Sequence, residues 1–342
     1  MEEVTPIGLR KSEHIRINLE EDVQSGLTTG LEQFHFIHRA LPEINLKDVD
    51  PRISLFGKHL SAPLLISSMT GGTTEAFKIN QNLATAAQET HVALGVGSQR
   101  IALEHPELAD TFQVRHIAPD ILLFANLGAI QLNYGYGVEA CQRAIDMIEA
   151  NALVLHFNPI QEAVQNEGNT QFAGLIHKVA AVCKSVSVPV IAKEVGWGFS
   201  KQDITLLAQS GVAAIDVAGA GGTSWSQVEM YRAESDDRRK LAATFFDWGI
   251  TTVESIQNVA EAAPGLIIIA SGGLHSGLDI AKCVALGASL GGMAGPFLKT
   301  ASQSADETIK LINLLKEELS ICMFATGSGS LEDLRKNKLV KK

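Results

Sequence analysis

The sequence lacks any long apolar run. Its longest, such as Gly265–Ala270 and Pro63–Ile66, fall far short of the roughly 20 residues a membrane helix needs. No charged stretch followed by an apolar core and small residues stands at the start, so the expectation is a cytoplasmic protein with no membrane partner. Cysteine is scarce: Cys141, Cys183, Cys283 and Cys322 lie far apart in apolar or helical surroundings. That spacing gives neither a disulfide framework nor a thiolate metal pattern, and leaves buried thiols. The net charge of −10 argues against a nucleic-acid partner, while a local basic pocket for an anionic ligand stays compatible with it. No Gly-x-Gly-x-x-Gly follows the first apolar strand, where a dinucleotide fold places it. What is abundant is apolar sequence, 46% of 342 residues, enough for one large α/β domain or two ordinary ones. Glycine is plentiful too, and most glycines fall just after apolar runs.

Residues 1–50 are polar and irregular and read as an N-terminal extension. Their basic cluster of Arg10, Lys11, His14 and Arg16 is either a solvated arm or, through Arg10 and Lys11, a cover folded over an anion. Residues 51–325 repeat one unit eight times: an apolar run, a glycine-rich or polar turn, then a helical stretch. The runs are Leu64–Ser68, Val92–Val96, Ile121–Ala125, Leu153–Leu155, Pro189–Ala192, Ala213–Val217, Leu266–Ala270 and Ala288–Gly292. Eight such units predict a closed parallel (β/α)8 TIM barrel of the α/β class, since each crossover helix returns the chain beside its predecessor. A doubly wound sheet is the rival. The longest connection, 223–250, carries the charged stretch Glu234–Lys240 and then Phe245, Phe246 and Trp248, and is expected to be functional or mobile. Residues 302–320 read as an amphipathic helix, and 326–342 as a basic tail that frays.

The chemistry concentrates in Leu153–Glu162. Leu153–Leu155 reads as a strand buried on both faces, and Pro159 ends it. His156, Asn158, Gln161 and Glu162 then fall at the carboxyl end of a barrel strand, where such folds place their sites. Glu162 alone could hold a Mg²⁺ that completes its shell with waters and substrate phosphate oxygens. The two carboxamides can orient a ligand, but they cannot move a proton as an acid–base pair, so another group must. The competing reading is that these four side chains satisfy backbone groups in a turn. Gly272, Gly273, Ala294 and Gly295 offer unobstructed backbone N–H groups after the last two strands, with helices beginning near Gly277 and Pro296. That is where barrels commonly bind phosphate, although small residues also simply make tight turns. Lys193 ends a strand, where a buried ammonium wants an anion, and the adjacent Glu194 should project to the opposite side. Ser98, Gln99 and Arg100 could grip a second phosphate, with Arg100 as a bidentate fork. Asp216 reads as an anchor in a network rather than a titrating group.

These residues together resemble the FMN-dependent type 2 isopentenyl-diphosphate isomerases, from Arg10-Lys11 to about Leu298. The most specific element is His156-x-Asn158-x-x-Gln161-Glu162. It is supported by Ser67-Ser68-Met69-Thr70-Gly71-Gly72, Gly97-Ser98-Gln99-Arg100, Lys193-Glu194-Val195-Gly196, Asp216-Val217-Ala218-Gly219-Ala220-Gly221-Gly222-Thr223, Ser271-Gly272-Gly273 and Ala294-Gly295-Pro296. The resemblance implies interconversion of isopentenyl and dimethylallyl diphosphates on reduced FMN with Mg²⁺. A nicotinamide, NADPH or NADH, serves only to reduce the flavin, which supplies the proton chemistry that carboxamides cannot. Carried over by position, Gly272, Gly273, Ala294 and Gly295 hold the flavin phosphate. Ser68, Met69, Thr70, Ser98, Asn126, Lys193 and Thr223 line the flavin. Arg10, Lys11, Ser98, Gln99, Arg100, His156 and Asn158 take the diphosphate, Gln161 sits against the isoprenyl part, and Glu162 holds the metal. Gln161, Lys193 and His156 are the implied catalytic residues. The resemblance also implies a homotetramer or octamer, with Arg10 and Lys11 acting at a neighbouring subunit's site. His275 stands where many relatives have Arg.

Two other functions remain in view. An FMN-dependent oxidase of 2-hydroxy acids on a similar barrel would need a proton-abstracting His paired with an Arg, and no convincing pair follows the later strands. A non-catalytic phosphate-ligand-binding or assembly barrel would tolerate loss of Glu162 and Lys193.

Overall fold

The computed structural model describes residues 6–337 and 339–342. Eight parallel strands close into a barrel: β1 (Leu64–Ile66), β2 (Ala93–Gly95), β3 (Leu123–Gly128), β4 (Ala152–Phe157), β5 (Val190–Glu194), β6 (Ala214–Asp216), β7 (Ile267–Ser271) and β8 (Leu290–Met293). Each matches one of the eight apolar runs. Alternate residues serve two cores, as the two-residue period of a strand requires. Leu65, Phe124, Val154, Ile191 and Ile269 cluster with Leu55 and Leu60, while Leu64, Ile66, Leu94, Leu153, Leu155 and Ile268 pack in the cluster shared with the surrounding helices. The short hairpin Ile53–Leu55/Lys58–Leu60 supplies Leu55, Leu60 and Phe56, whose ring meets Phe124 edge-on at 6.4 Å. Closing the amino-terminal end of the barrel in this way leaves the opposite end for ligands.

Three expectations are corrected. Within 1–50 the stretch Pro6–Glu20 is not irregular but forms a helix, and it buries Ile15 and Ile17. Its exit is tied to the loop after β6, with Ser25 N donating to Gly222 O at 2.8 Å and Ser224 N to Val23 O at 2.8 Å. The helix therefore lies over the barrel mouth. The stretch 223–250 is not an open loop but holds the helices Trp225–Arg232 and Asp236–Ala243, and Ile250 N at its end donates to Trp197 O at 2.8 Å. The C-terminal stretch is not a frayed tail either. Ser330 caps the helix Leu331–Lys336 in a capping box, and Leu339–Lys341 pairs antiparallel with Phe34–Phe36. The amphipathic helix runs Ala305–Ala325, capped by Ser304.

Candidate active site

The barrel register builds the site. Gly128 pairs with His156, His156 with Lys193, and Lys193 with Asp216, so one rung at the carboxyl ends of β3 to β6 carries an imidazole, an ammonium and a carboxylate on one face. Lys193 Nζ lies 2.9 Å from Asp216 Oδ2 and donates to Ser271 Oγ at 3.2 Å, and Ser271 Oγ donates to Asp216 Oδ1 at 2.5 Å. Asp216 is thus an anchor, and Lys193 is aimed by it. His156 Nδ1 stands 2.7 Å from Asn126 Oδ1, an acceptor that puts the ring proton on Nδ1. Burial, followed by the ammonium groups of Lys193 and Lys11, lowers His156 to about 4, so the ring is neutral at physiological pH.

Pro159 opens the helix Pro159–Val164, which sets Gln161 and Glu162 in its first turn. Asn158 Nδ2 donates to Gln161 Oε1 and to Glu162 Oε1, both at 3.0 Å. Glu162 Oε2 accepts from Gln165 Nε2 at 2.7 Å and from Asn169 N at 2.5 Å. Asn158, Gln161 and Glu162 therefore bind one another, while His156 bonds Asn126 and Glu162 also satisfies the backbone N–H of Asn169. Asn158 Oδ1 is buried without a protein partner and belongs to the cavity lining, an acceptor open to a ligand or a water.

Gln161 Nε2 donates to Glu229 Oε1 at 3.2 Å, and Glu229 is the group that sequence reasoning missed. It sits buried on the helix Trp225–Arg232. His14 Nε2 is 3.0 Å from its Oε1, and Arg232 Nη1 donates to its Oε2 at 2.6 Å. Burial pushes Glu229 up, but His14 and Arg232 outweigh it and hold the carboxyl below its ordinary range. Arg232 also reaches Glu13 at 2.9 Å, and Trp225 meets the His14 ring edge-on at 5.0 Å. This network fastens the N-terminal helix to the barrel. The helix in turn brings Arg10 and Lys11 into the lining of the same chain's cavity. Lys11 Nζ donates to Ser98 O at 2.9 Å and lies 5.0 Å over the Phe112 ring. Burial, and then Arg10, lowers it to about 7.

Ser68, Met69, Thr70, Ser98, Arg100, Thr223, Gly272, Gly273, Ala294 and Gly295 line this same cavity with the residues above. Gln99 does not. Its fully buried side chain donates to Ala144 O at 2.8 Å and accepts from Asn126 N at 3.0 Å, joining β3 to the helix Val138–Met147. The expectation that Gln99 grips a phosphate is corrected: it sits in the turn that opens the helix Arg100–Glu104, with φ −85° and ψ 5°, and its side chain is turned inward to Ala144 and Asn126. Arg100 is partly engaged, donating to Glu104 at 2.8 Å.

The family description FMN-dependent dehydrogenase matches residues 140–341. An isopentenyl-diphosphate delta-isomerase of Nostoc sp. is 54% identical over 95% of this chain and 93% of its own length. One of Rickettsia prowazekii is 49% identical over 97% of both chains. The chain belongs to the type 2, FMN-dependent isopentenyl-diphosphate delta-isomerase family. Its fold is shared more widely. A mandelate oxidase solved with an FMN adduct superimposes with a TM-score of 0.70 at 19% identity, covering 97% of this chain and 99% of that one. A lactate oxidase of Pediococcus acidilactici gives 0.68 at 15%, covering 96% and 86%.

The cavity fits the cofactor of an FMN-dependent family. Gly272 and Gly273 adopt φ of 102° and 73°, which glycine tolerates, and a Cβ added at Gly295 would meet nothing within 4 Å. The helix Gly295–Ala301 begins without a side-chain cap. The other expected helix end is already satisfied, because Gly277 N donates to Glu318 at 2.6 Å and Ser276 and Asp279 form a capping box. A flavin phosphate would therefore meet the glycine loops and the Gly295 amide region rather than the helix end at Gly277. For a divalent cation, no cluster of three or more His, Cys, Asp or Glu side chains suited to a metal exists among the described residues. A Mg²⁺ here would fit only as the hard ion Glu162 holds singly, with water and phosphate oxygens completing its shell.

Proposed function

We propose that the chain interconverts isopentenyl and dimethylallyl diphosphates by a 1,3-allylic proton shift, with FMN in its reduced form and Mg²⁺, in isoprenoid biosynthesis. The observation that carries this reading is the mixed lining of the cavity, in which Arg10 interacts with Glu162, and Lys11 with His156, through their charges. Cationic Arg10, Lys11 and Arg100 line it together with a neutral cluster of His156, Asn158 and Gln161 built around one carboxylate, Glu162. The cations, with His156 and Asn158, suit a diphosphate, and neutral Gln161 suits the uncharged isoprenyl part.

In this reading Arg10, Lys11, Ser98 and Arg100 bind the diphosphate, and His156, whose Nδ1 proton is given to Asn126, donates to it from Nε2 only as the imidazolium that an adjoining anion favours. Glu162 holds Mg²⁺ against the phosphate oxygens. Asn158 orients Gln161 and Glu162 through its two N–H bonds, and Gln161, steadied by Glu229, sets the isoprenyl part. Ser68, Met69, Thr70, Asn126 and Thr223 flank the isoalloxazine, and Gly272, Gly273, Ala294 and Gly295 receive the FMN phosphate. Reduced flavin, when bound, supplies the proton donor and acceptor that neutral carboxamides cannot. Lys193, aimed by Asp216 and Ser271, places a positive charge beside the flavin and so favours its anionic reduced form. NADPH or NADH acts only as flavin reductant. The protein works in the cytoplasm as a homotetramer or larger assembly, with residues 1–50 as part of the substrate site.

The oxidase reading lacks its acid–base pair. His275 is exposed, its backbone N–H is donated to Asp279 at 3.0 Å, and its ring has no ion-pair partner among the described residues. The test is to follow isopentenyl diphosphate by NMR with oxidised and with reduced holoenzyme. Isomerisation confined to the reduced form supports the proposal, and oxidation of a 2-hydroxy acid instead would overturn it.

A further inference from the structure

Glu194 is buried, ionisable and unused by the chemistry above. It follows Lys193 on β5, so it projects out of the barrel where Lys193 projects in. Its exposure is 4%, and its Oε2 accepts three successive backbone N–H groups, from Val195 at 2.7 Å, Gly196 at 2.7 Å and Trp197 at 2.5 Å. The loop is wrapped around one oxygen, a concave arrangement of amides suited to an anion. Val195 and Gly196 line the cavity.

The backbone beyond is stacked without cushioning side chains. A Cβ on Gly196 would stand 2.7 Å from Thr223 O, one on Gly222 would stand 2.5 Å from Gly273 N, and one on Gly272 would stand 2.0 Å from Gly219 O. Close-packed backbone transmits displacement rather than absorbing it. We propose that Glu194 is a positioning residue for the flavin end of the cavity: it clamps the loop 195–197 so that the backbone stack through Gly196, Thr223, Gly222 and Gly273 keeps the shape of the phosphate cradle. This rests on the FMN reading.

Burial raises Glu194 to about 7 against the pull of the three N–H groups, and Lys193 is the neighbouring charge that also favours ionisation. An ionised oxygen accepts those N–H groups more strongly than a protonated carboxyl does. The clamp therefore tightens as pH rises through neutrality. Lys11 titrates in the same range, so the assignment needs a variant. Glu194→Gln retains an acceptor oxygen for the loop but no charge.

The experiment is the FMN dissociation constant of the full chain, read by flavin fluorescence without diphosphate between about pH 5.5 and 8.5, a window either side of the expected ionisation. The flavin phosphate's own titration is common to all the proteins and cancels in the comparison. Glu194→Gln should bind FMN like wild type at the acid end and about tenfold more weakly at the alkaline end, the weight of lost charge assistance. Gly196→Ala should loosen FMN at every pH while keeping the wild-type pH dependence. A Glu194→Gln to wild-type ratio that is flat with pH overturns the proposal, as does unchanged FMN affinity in Gly196→Ala. Circular dichroism checks that each variant is folded. A folded wild-type chain that binds no FMN at any pH would bring down the FMN reading itself, and the proposal with it.

Discussion

Gln161 and Glu229 are joined by a hydrogen bond of 3.2 Å although 68 residues separate them. One sits in the first turn of the helix Pro159–Val164 after β4 and the other on a helix inserted after β6, and the same carboxylate also binds His14 from the N-terminal helix. The orientation of Gln161 thus depends on two segments outside the barrel repeat. Glu229→Ala is expected to leave His14, Arg232 and Gln161 without their shared partner, lowering stability by about 1–3 kcal/mol and turnover by about 10²-fold. Glu229→Gln should recover most of the stability and less of the rate. Thermal unfolding and steady-state isomerisation measure both.

Lys11 makes diphosphate binding proton-linked. Held at about 7 by burial and Arg10, it is largely neutral in the free protein at pH 8, and an anion beside it favours the ammonium. Binding of inorganic pyrophosphate at pH 8 should take up about one proton, detected by calorimetry in two buffers of different ionisation enthalpy. Lys11→Met should bind more weakly and abolish the uptake. Uptake unchanged in that variant would assign the proton elsewhere.

Glu162→Gln is expected to raise the Mg²⁺ concentration needed for half-maximal activity by about tenfold or more, since one carboxylate carries the protein's share of the metal site. FMN content should not change. An unaltered Mg²⁺ requirement would remove Glu162 from the metal.

His156 contributes an acid limb to stability. Its folded-state value, about 4, lies below the ordinary histidine value, so between roughly pH 6.5 and 4 the unfolded chain binds a proton that the folded chain refuses. The stability associated with His156 is present above that window and is lost as pH falls through it, on the order of 3 kcal/mol in full. Glu194 has the opposite sign. Its raised value means its contribution is greatest at low pH and is lost as pH rises through about 7. Denaturant unfolding of His156→Gln should show a flatter acid limb than wild type.

The barrel was legible because its strands are continuous apolar runs punctuated by glycine, and the cluster from His156 to Glu162 because four polar residues follow one such run. Lys193 and Asp216 were legible singly, as buried charges, although their pairing required the β5–β6 register. Glu229 and His14 were not legible. Each lies on a helix that looks like ordinary charged surface until tertiary packing buries it, and no local period marks that event. Gln99 failed for a related reason: it sits between Ser98 and Arg100, which line the cavity, but its side chain points the other way. The C-terminal strand was hidden because its partner, Phe34–Phe36, lies some 300 residues earlier, beyond any local signal.

The most direct test of the central claim is anaerobic turnover of isopentenyl diphosphate by the FMN-loaded protein with Mg²⁺, comparing oxidised flavin with flavin reduced once before substrate is added. Dimethylallyl diphosphate is expected only after reduction, over many turnovers and without further consumption of reductant. Product formed equally well on oxidised flavin, or reductant consumed in step with product, would contradict it.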